Sequence, residues 1–180
     1  MSPEWTVCPG CAVRLPAVHS ELDRPLNASP ACRQCNAEVV GFELRHPALI
    51  GRFHQLTVDT YGAQHGGAPT GRIYLGYSLV GLDLALERGT AGVEVRDIHQ
   101  RMGRPDGTWP EFTPPPPAAL TVLHVAEAGV RAGSVDGHAR AMDEWAAAVW
   151  RSWAEQHDAV RALTDRVLAA HYRPRPRRRR

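Results

Sequence analysis

The sequence predicts a mainly α-helical protein: a compact bundle of about five helices that follows a small cysteine-rich N-terminal module. Three observations carry this prediction. Four cysteines form two C-x2-C pairs near the start of the 180-residue chain. Downstream, apolar residues recur at steps of three and four, which is the periodicity of an amphipathic α-helix. No alternating β-branched stretch follows the cysteines, so we expect any strands to be confined to the N-terminal module.

The cysteine pairs, Cys8/Cys11 and Cys32/Cys35, are separated by twenty residues. Four thiolates at this spacing can surround one Zn²⁺ ion tetrahedrally, and such a closed site leaves no open position for catalytic water. Iron in a rubredoxin-like site uses the same tetrahedron, and unmetallated or redox-active thiols are the third alternative. A secreted disulfide framework is disfavoured because no signal peptide precedes the pairs. Zinc is the preferred prediction.

Local sequence around the pairs supports a metal-binding module. Pro9 and Gly10 favour a tight turn that aims the first two sulfurs at one point. Ser29 is a good N-cap and Pro30 suits the first helical position, which places the second pair on the opening turns of a helix. A knuckle followed by a ligand pair at a helix start resembles a treble-clef zinc finger.

Helical segments follow in order along the rest of the chain. Predicted helices cover residues 32–44, 48–64, 72–87, 91–102 and 121–131, and a last long helix runs from Ser134 or Asp136 to about residue 170. Residues 103–117 are rich in proline and are expected to be irregular. Three tryptophans of the last helix (Trp145, Trp150 and Trp153) are interpreted as core packing.

Charge and composition suggest three parts: a zinc module over residues 1–36, an all-α domain over 37–170, and a disordered arginine-rich tail over 171–180. The net charge is +2, and all basic residues are arginines, as in GC-rich bacterial genomes. Six arginines lie in the tail, and without them the charge is −4, from fifteen arginines and nineteen acids. No apolar stretch is long enough to span a membrane. We therefore expect a cytoplasmic protein.

The tail, Arg173–Arg180, could hold a nucleic acid through counterion release. No aromatic stacking residue is interleaved with its arginines. A solvated tail without a binding role is therefore preferred over nucleic-acid binding.

Candidate catalytic or second-metal residues are Asp59, His65, His138 and His157. His138 and His157 are nineteen residues apart, about 28 Å along one helix, so a second site would have to combine side chains from different helices. Each also has a structural interpretation, as an ion-pair partner, a helix cap or a core hydrogen-bond donor. Signatures of zincins, P-loop proteins and α/β-hydrolases are absent from the sequence.

Five motifs occur in order along the chain: CPGC, SPAC, LTVDTYGAQH, LVGLDLALERG and H-x6-W-x4-W-x2-W-x3-H. Together they resemble an uncharacterised actinobacterial domain family of unknown function, over residues 8 to about 165. The resemblance implies one cohesive fold and points to a set of motif positions: Asp59, Tyr61, Gln64, His65, His138, Trp145, Trp150, Trp153 and His157. Arg33-Gln34-Cys35 replaces a tryptophan-containing stretch of the family pattern. It therefore stays open whether Cys35 or a histidine elsewhere is the family's fourth ligand, although four cysteines are the simplest set for this chain.

Two classes of function follow. The first is a zinc-stabilised binding or adaptor protein with an unidentified protein partner. The second is a metal-dependent, hydrolase-like enzyme with a site between helices around Asp59, His65 and His157, with His138 as a further candidate. The binding protein is preferred because closed thiolate sites are mostly structural.

Overall fold

A computed structural model of the chain describes residues 4–18, 26–68, 70–102 and 109–171. Within these residues the fold is mainly helical, as predicted, but it contains seven α-helices where the sequence predicts about five. They are α1 (Pro30–Arg45), α2 (Pro47–Gln64), α3 (Arg72–Leu82), α4 (Gly92–Arg101), α5 (Val122–Val125), α6 (Val135–Ser152) and α7 (His157–His171).

The N-terminal segment forms a short antiparallel hairpin of β1 (Trp5–Val7) and β2 (Arg14–Pro16), with Thr6 opposite Leu15. These are the two strands of the described residues, and they lie where strands are expected. The connecting turn contains the CPGC motif. Two backbone hydrogen bonds hold it: Ala12 N–H donates to the Cys8 carbonyl, and Cys8 N–H donates to the Val13 carbonyl, both at 2.9 Å.

Helices α1 and α2 form an antiparallel pair joined at His46. Ser29 caps α1, because its hydroxyl accepts a hydrogen bond from Cys32 N–H at 3.2 Å. Pro47 follows His46 and starts α2, since a proline disfavours helical geometry in the residue before it. The return of the chain at His46 places the end of α2 beside the start of α1.

Two helices end in wider π-helical turns. Helix α3 continues through Asp83–Glu87, and α5 continues through Ala126–Arg131. Their combined extents agree with the predicted segments 72–87 and 121–131. The first turn buries Asp83, whose carboxylate accepts a hydrogen bond from Arg88 Nε at 2.9 Å, and Arg88 also pairs with Asp165 of α7 at 2.8 Å. A buried carboxylate is thereby paired at the point where α3 meets α7.

The prediction of one long C-terminal helix is wrong. Helix α6 ends at Ser152, a short 3₁₀ turn covers Ala154–Gln156, and α7 begins at His157. The break allows Trp153 to enter the core at 1% exposure and places the His157 ring in a stack on Trp150, with ring centroids 3.9 Å apart.

Helix α2 lies at the centre of the molecule and contacts α1, α3, α4 and α6. Three tryptophans of the C-terminal segment (Trp145, Trp150 and Trp153) are buried, which confirms their interpretation as core residues. None of the described helices is both long and apolar enough to cross a membrane. Residues 109–117 have no regular structure, as expected. Residues 103–108, and 172–180 of the predicted tail, lie outside the described residues.

Candidate metal centre and the other predicted site residues

Three separate segments bring four potential ligands together. Cys8 and Cys11 come from the hairpin turn, Cys32 from the first turn of α1, and His65 from the end of α2; their ligand atoms all lie within 4.8 Å of one another. Cys11 Sγ lies 3.7 Å from Cys32 Sγ, and Cys32 Sγ lies 3.4 Å from His65 Nε2. A tetrahedral zinc site has edges of about 3.8 Å between sulfurs and about 3.6 Å between sulfur and nitrogen. This Cys3His group could therefore hold a metal ion.

His65 is oriented for ligation. Its Nδ1 lies 2.7 Å from the Tyr61 carbonyl oxygen, to which an Nδ1–H donates, and its Nε2 faces Cys32 Sγ at 3.4 Å. The Tyr61 hydroxyl also donates to Cys32 Sγ at 3.7 Å. Hydrogen bonds of this kind hold ligands in place around a metal. Tyr61 thus supports two of the four ligands.

Gly10 of the CPGC turn is required by the close approach of His65. A Cβ at this position would lie 2.7 Å from His65 Cδ2 and would also collide with the Asn27 carbonyl oxygen. The glycine therefore allows the hairpin turn to lie directly against the imidazole.

The three clustered thiols cannot all ionise together in the absence of a cation. Hydrogen bonds from Cys11 and Cys32 lower the pKa of Cys8. The pKa of Cys32 is raised by its contacts with Cys11 and Cys8 and by burial. The close contacts among the sulfurs therefore oppose ionisation of all three, and a bound metal ion would let all three lose their protons.

Cys35 is not a member of this group, so the assembled ligand set differs from the predicted four cysteines in one position. It is buried at 4% exposure, and burial, followed by the charge of Glu38, raises its pKa to about 11. Its thiol therefore stays protonated at neutral pH. The start of α1 contributes one potential ligand atom to this group, where the treble-clef prediction expects a pair, and the fourth potential ligand, His65, lies at the end of α2.

The remaining candidates lie in three other places. Asp59 contacts Gln55 on α2, His138 contacts Glu43 on α1, and His157 Nε2 lies 3.0 Å from the Trp150 carbonyl. A second cluster of three or more potential metal ligands is absent from the described residues. The structure therefore does not bring Asp59, His65, His138 and His157 into one cleft.

Asp59 belongs to a largely buried polar group with Gln55 and His99. Of these three residues, only Asp59 is predicted from the sequence as a candidate site residue. Gln55 Nε2 lies 3.1 Å from both carboxylate oxygens and 3.2 Å from Nδ1 of His99 on α4. Burial raises the pKa of Asp59, whereas burial lowers the pKa of His99 to about 4. Burial therefore favours the uncharged form of both side chains. No motif includes His99, and its contact with α2 depends on tertiary packing.

Two cavities meet at Gln55 and Asp59. One, of about 770 Å³, lies between α2, α3 and α4 and has a largely apolar wall; its lining residues include Val58, Tyr77 and His99. The other, of about 410 Å³, lies towards the loop before α4 and is also lined by Gln55 and Asp59. A polar pair at the end of an apolar cavity is typical of small-molecule sites.

His138 is part of a hydrogen-bonded group around Glu43 in which these two side chains are fully buried. Its Nε2 lies 3.1 Å from Glu43 Oε1, which also accepts a hydrogen bond from the Thr57 hydroxyl. Nδ1 of His54 lies 3.2 Å from the other carboxylate oxygen. Neither Glu43 nor His138 is exposed to solvent. This group connects α1, α2 and α6.

The polar residues of the motif LTVDTYGAQH lie on different sides of α2 and contact different neighbours. Asp59 lines both cavities. His65 belongs to the cysteine–histidine cluster and Tyr61 contacts it. Gln64 contacts the buried Trp145. Gln64 accepts a hydrogen bond from Trp145 Nε1 at 2.9 Å and donates to the Leu120 carbonyl at 2.7 Å. The polar residues of the motif therefore contact different parts of the fold from one central helix.

Comparisons with known proteins identify a family but no activity. No curated protein and no solved structure matches the chain. The sequence model of a family of unknown function matches residues 6–154, which include all four members of the cysteine–histidine cluster and both cavities' polar residues. This confirms the resemblance to an uncharacterised domain family: the chain belongs to the family of unknown function DUF5946.

Proposed function

We propose that this chain is a zinc-stabilised binding protein in which Cys8, Cys11, Cys32 and His65 hold one structural zinc ion. The observation that carries the proposal is the convergence of four buried ligand atoms from three separate segments. Zinc is favoured over iron because three thiolates and one imidazole form a common structural zinc site, whereas rubredoxin-like iron uses four sulfurs.

A structural role follows from the coordination and the burial. Four protein ligands complete a tetrahedron and leave no position for water or substrate. The exposed fractions of Cys8, Cys11, Cys32 and His65 are between 0 and 2%. None of the four lines either of the two cavities. The metal would be separated from any substrate bound there.

The ion would attach the hairpin to the helical body. The hairpin contributes few core residues, of which Leu15 is one, so its apolar contacts alone provide little stability. The metal would connect it to the start of α1 and the end of α2, and the free energy of metal binding would add to that of folding. Such a site is best maintained where thiols stay reduced, which is why we place the protein in the cytoplasm.

Binding is favoured over metal-dependent catalysis. The enzyme hypothesis requires Asp59, His65 and His157 to share a site, yet each contacts a different neighbour. The large cavity beside Asp59 is instead suited to holding a molecule. Nucleic-acid binding through Arg173–Arg180 remains a separate expectation; salt-dependent retention on heparin that disappears when residues 173–180 are deleted would support it.

The metal proposal is tested by zinc content in purified variants. We expect one zinc per chain in the wild type and in Cys35→Ala, and a large loss of zinc in His65→Ala. His65→Cys should regain zinc, because a thiolate can occupy the same vertex of the tetrahedron. Cys35→Ala is the matched control, since it removes a buried thiol three residues from a proposed ligand.

Two results would overturn the proposal. Loss of zinc in Cys35→Ala together with retention of zinc in His65→Ala would show that the fourth ligand is Cys35, as in the four-cysteine prediction. Wild-type protein that folds fully without bound metal would show that the fold needs no structural ion. More than one zinc per chain would favour the second-site enzyme.

A further inference from the structure

We propose that residues 113–117, of sequence TPPPP, form a docking peptide for a protein partner whose aromatic-lined groove binds polyproline II chains. This inference names the partner class of the binding role proposed above and rests on it. It does not depend on which residues hold the metal, nor on either cavity.

Successive prolines restrict the backbone of this segment. Residues 114–117 are four prolines in a row, and each ring holds φ near about −65°. Residues 113–116 each precede a proline, which disfavours helical geometry and favours an extended backbone. Together these restraints give polyproline II, which has three residues per turn and no internal hydrogen bonds. The structure agrees, because the segment has no regular hydrogen-bonded structure and the chain bends only at Pro116, near the end of the run.

One side of the segment faces the protein and the rest faces solvent. Phe112 is buried, and Pro115 and Ala118 are half-buried. These three positions are spaced by three residues, which is the repeat of polyproline II. The exposed positions between them are Thr113, Pro114, Pro116 and Pro117. In the described part of the chain, two of the three edges of the segment are therefore open to a partner.

The start of the segment is held in place by the core. Phe112 packs edge-on against Trp153, with ring centroids 6.4 Å apart. The side-chain oxygen of Gln156 accepts a hydrogen bond from Thr113 N–H at 2.9 Å, and Gln156 Nε2 donates to the Thr113 carbonyl at 2.6 Å. Gln156 lies in the 3₁₀ turn that separates α6 from α7. The break in the C-terminal helix thus holds the segment ready, and a peptide fixed in this way loses less entropy on binding.

The carbonyl groups of the run remain available to a partner. Among the described residues, no carbonyl of residues 114–117 accepts a hydrogen bond. Grooves that bind polyproline II are lined by aromatic side chains. Tryptophan and tyrosine combine a ring that packs on proline with an N–H or O–H that donates to a carbonyl. Both parts of such a groove therefore find a matching group in this segment.

Other partner classes match the segment less well. Residues 109–118 contain no arginine or lysine, and Glu111 is exposed, so a nucleic acid or an anionic membrane would find no basic contact here. Prolines have no N–H, so the run is a poor strand for pairing with the edge of a sheet. A proline-binding groove with basic residues at its rim would complement Glu111.

The test measures binding of the full-length, zinc-loaded chain to a purified WW domain that recognises proline runs, by isothermal titration calorimetry. The control partner is the same domain with its groove tryptophan replaced by alanine. We expect one intact domain to bind per chain with a Kd below about 1 mM, and the control domain not to bind. An excess of a decaproline peptide should displace the chain.

Variants of the chain locate the contact. Pro114→Ala combined with Pro116→Ala should weaken binding about tenfold or more, because it removes two exposed rings. Pro110→Ala is the matched control outside the run and should leave binding unchanged. If the double variant fails to fold, as judged by circular dichroism and zinc content, Pro116→Ala alone replaces it.

A further variant tests the positioning role of Gln156. Gln156→Ala should weaken binding about two- to fivefold, since the segment is no longer held at Thr113. Gln156→Glu keeps the acceptor for Thr113 N–H and should lie between this variant and the wild type. Equal affinity of Gln156→Ala and the wild type would refute the positioning role.

Three outcomes would overturn the inference: no binding of the wild-type chain to the intact domain, equal binding by the proline variant and the wild type, or equal binding to the intact and control domains. A chain that holds one zinc but does not bind the domain would refute the docking inference alone. A chain without zinc would refute the metal proposal, whatever the WW domain does.

Discussion

Replacing Glu43 should destabilise the fold more than any comparable change on the same helix. Glu43 has no exposed side-chain surface. Its carboxylate accepts a hydrogen bond from the Thr57 hydroxyl and lies 3.1 Å from His138 Nε2 and 3.2 Å from His54 Nδ1. Glu43→Ala would leave these three polar groups without their shared partner.

The magnitude follows from the burial of this group. Removing one partner of a buried polar pair costs about 3–5 kcal/mol, because the remaining groups stay desolvated. A stable domain of this kind has about 5–15 kcal/mol in total, so the loss is a large share of it. For a chain of 150–250 residues each kcal/mol shifts Tm by about 2–4 °C, which gives a fall of about 6–20 °C. Glu43→Gln keeps the volume and one acceptor oxygen, so its effect should be smaller.

The assay is thermal and urea unfolding of zinc-loaded protein, followed by circular dichroism. Glu38→Ala is the control, since this residue lies on the exposed side of α1 and its loss should change stability by less than about 0.5 kcal/mol. Equal effects of Glu43→Ala and Glu38→Ala would refute the reasoning that this buried group holds α1, α2 and α6 together.

Three further predictions follow from other parts of the structure. Gly10→Ala should weaken zinc binding, as measured by competition with a chelator, because its Cβ would lie 2.7 Å from His65 Cδ2; unchanged affinity would mean that the turn does not lie against the imidazole. Gly51→Ala should raise the unfolding free energy by about 0.5–1 kcal/mol, since no atom lies near the added Cβ in the α2 helix; a lower Tm would contradict this. Burial lowers the pKa of His99 from 6.5 to about 4, so between these pH values the unfolded chain binds more protons and stability falls as the pH falls. His99→Gln should flatten the decline of Tm over that range, and an unchanged slope would show that His99 is not buried as described.

Local sequence was sufficient to predict three of the four residues in the cysteine–histidine cluster. The knuckle turn and the helix start are short-range features, and Cys8, Cys11 and Cys32 all lie in the cluster. His65 and Cys35 are different, because choosing between them requires the relative placement of two helices. Cys35 follows Cys32 on the same helix, whereas His65 is 33 positions further along the chain.

A signal for His65 was nevertheless present in the sequence. Helices α1 and α2 have 16 and 18 residues and are joined at a single residue. Two antiparallel helices of nearly equal length place the end of the second beside the start of the first. Cys32 is the third residue of α1, and His65 directly follows α2, so their meeting follows from these helix lengths.

The C-terminal break and the Asp59 group could not be predicted in the same way. The tryptophan pattern fits a continuous helix equally well, and only the burial of Trp153 in the core explains the turn that separates α6 from α7. The partner of Asp59 across the cavity, His99, belongs to no motif and meets α2 only in the packed bundle. Interactions between distant segments leave little trace in local sequence.

The most direct test of the central claim is X-ray absorption at the zinc edge of the purified, metal-loaded chain. The proposed site predicts a first shell of three sulfurs at about 2.3 Å and one nitrogen at about 2.0 Å. A shell of four sulfurs would contradict it and assign the fourth position to Cys35 instead of His65.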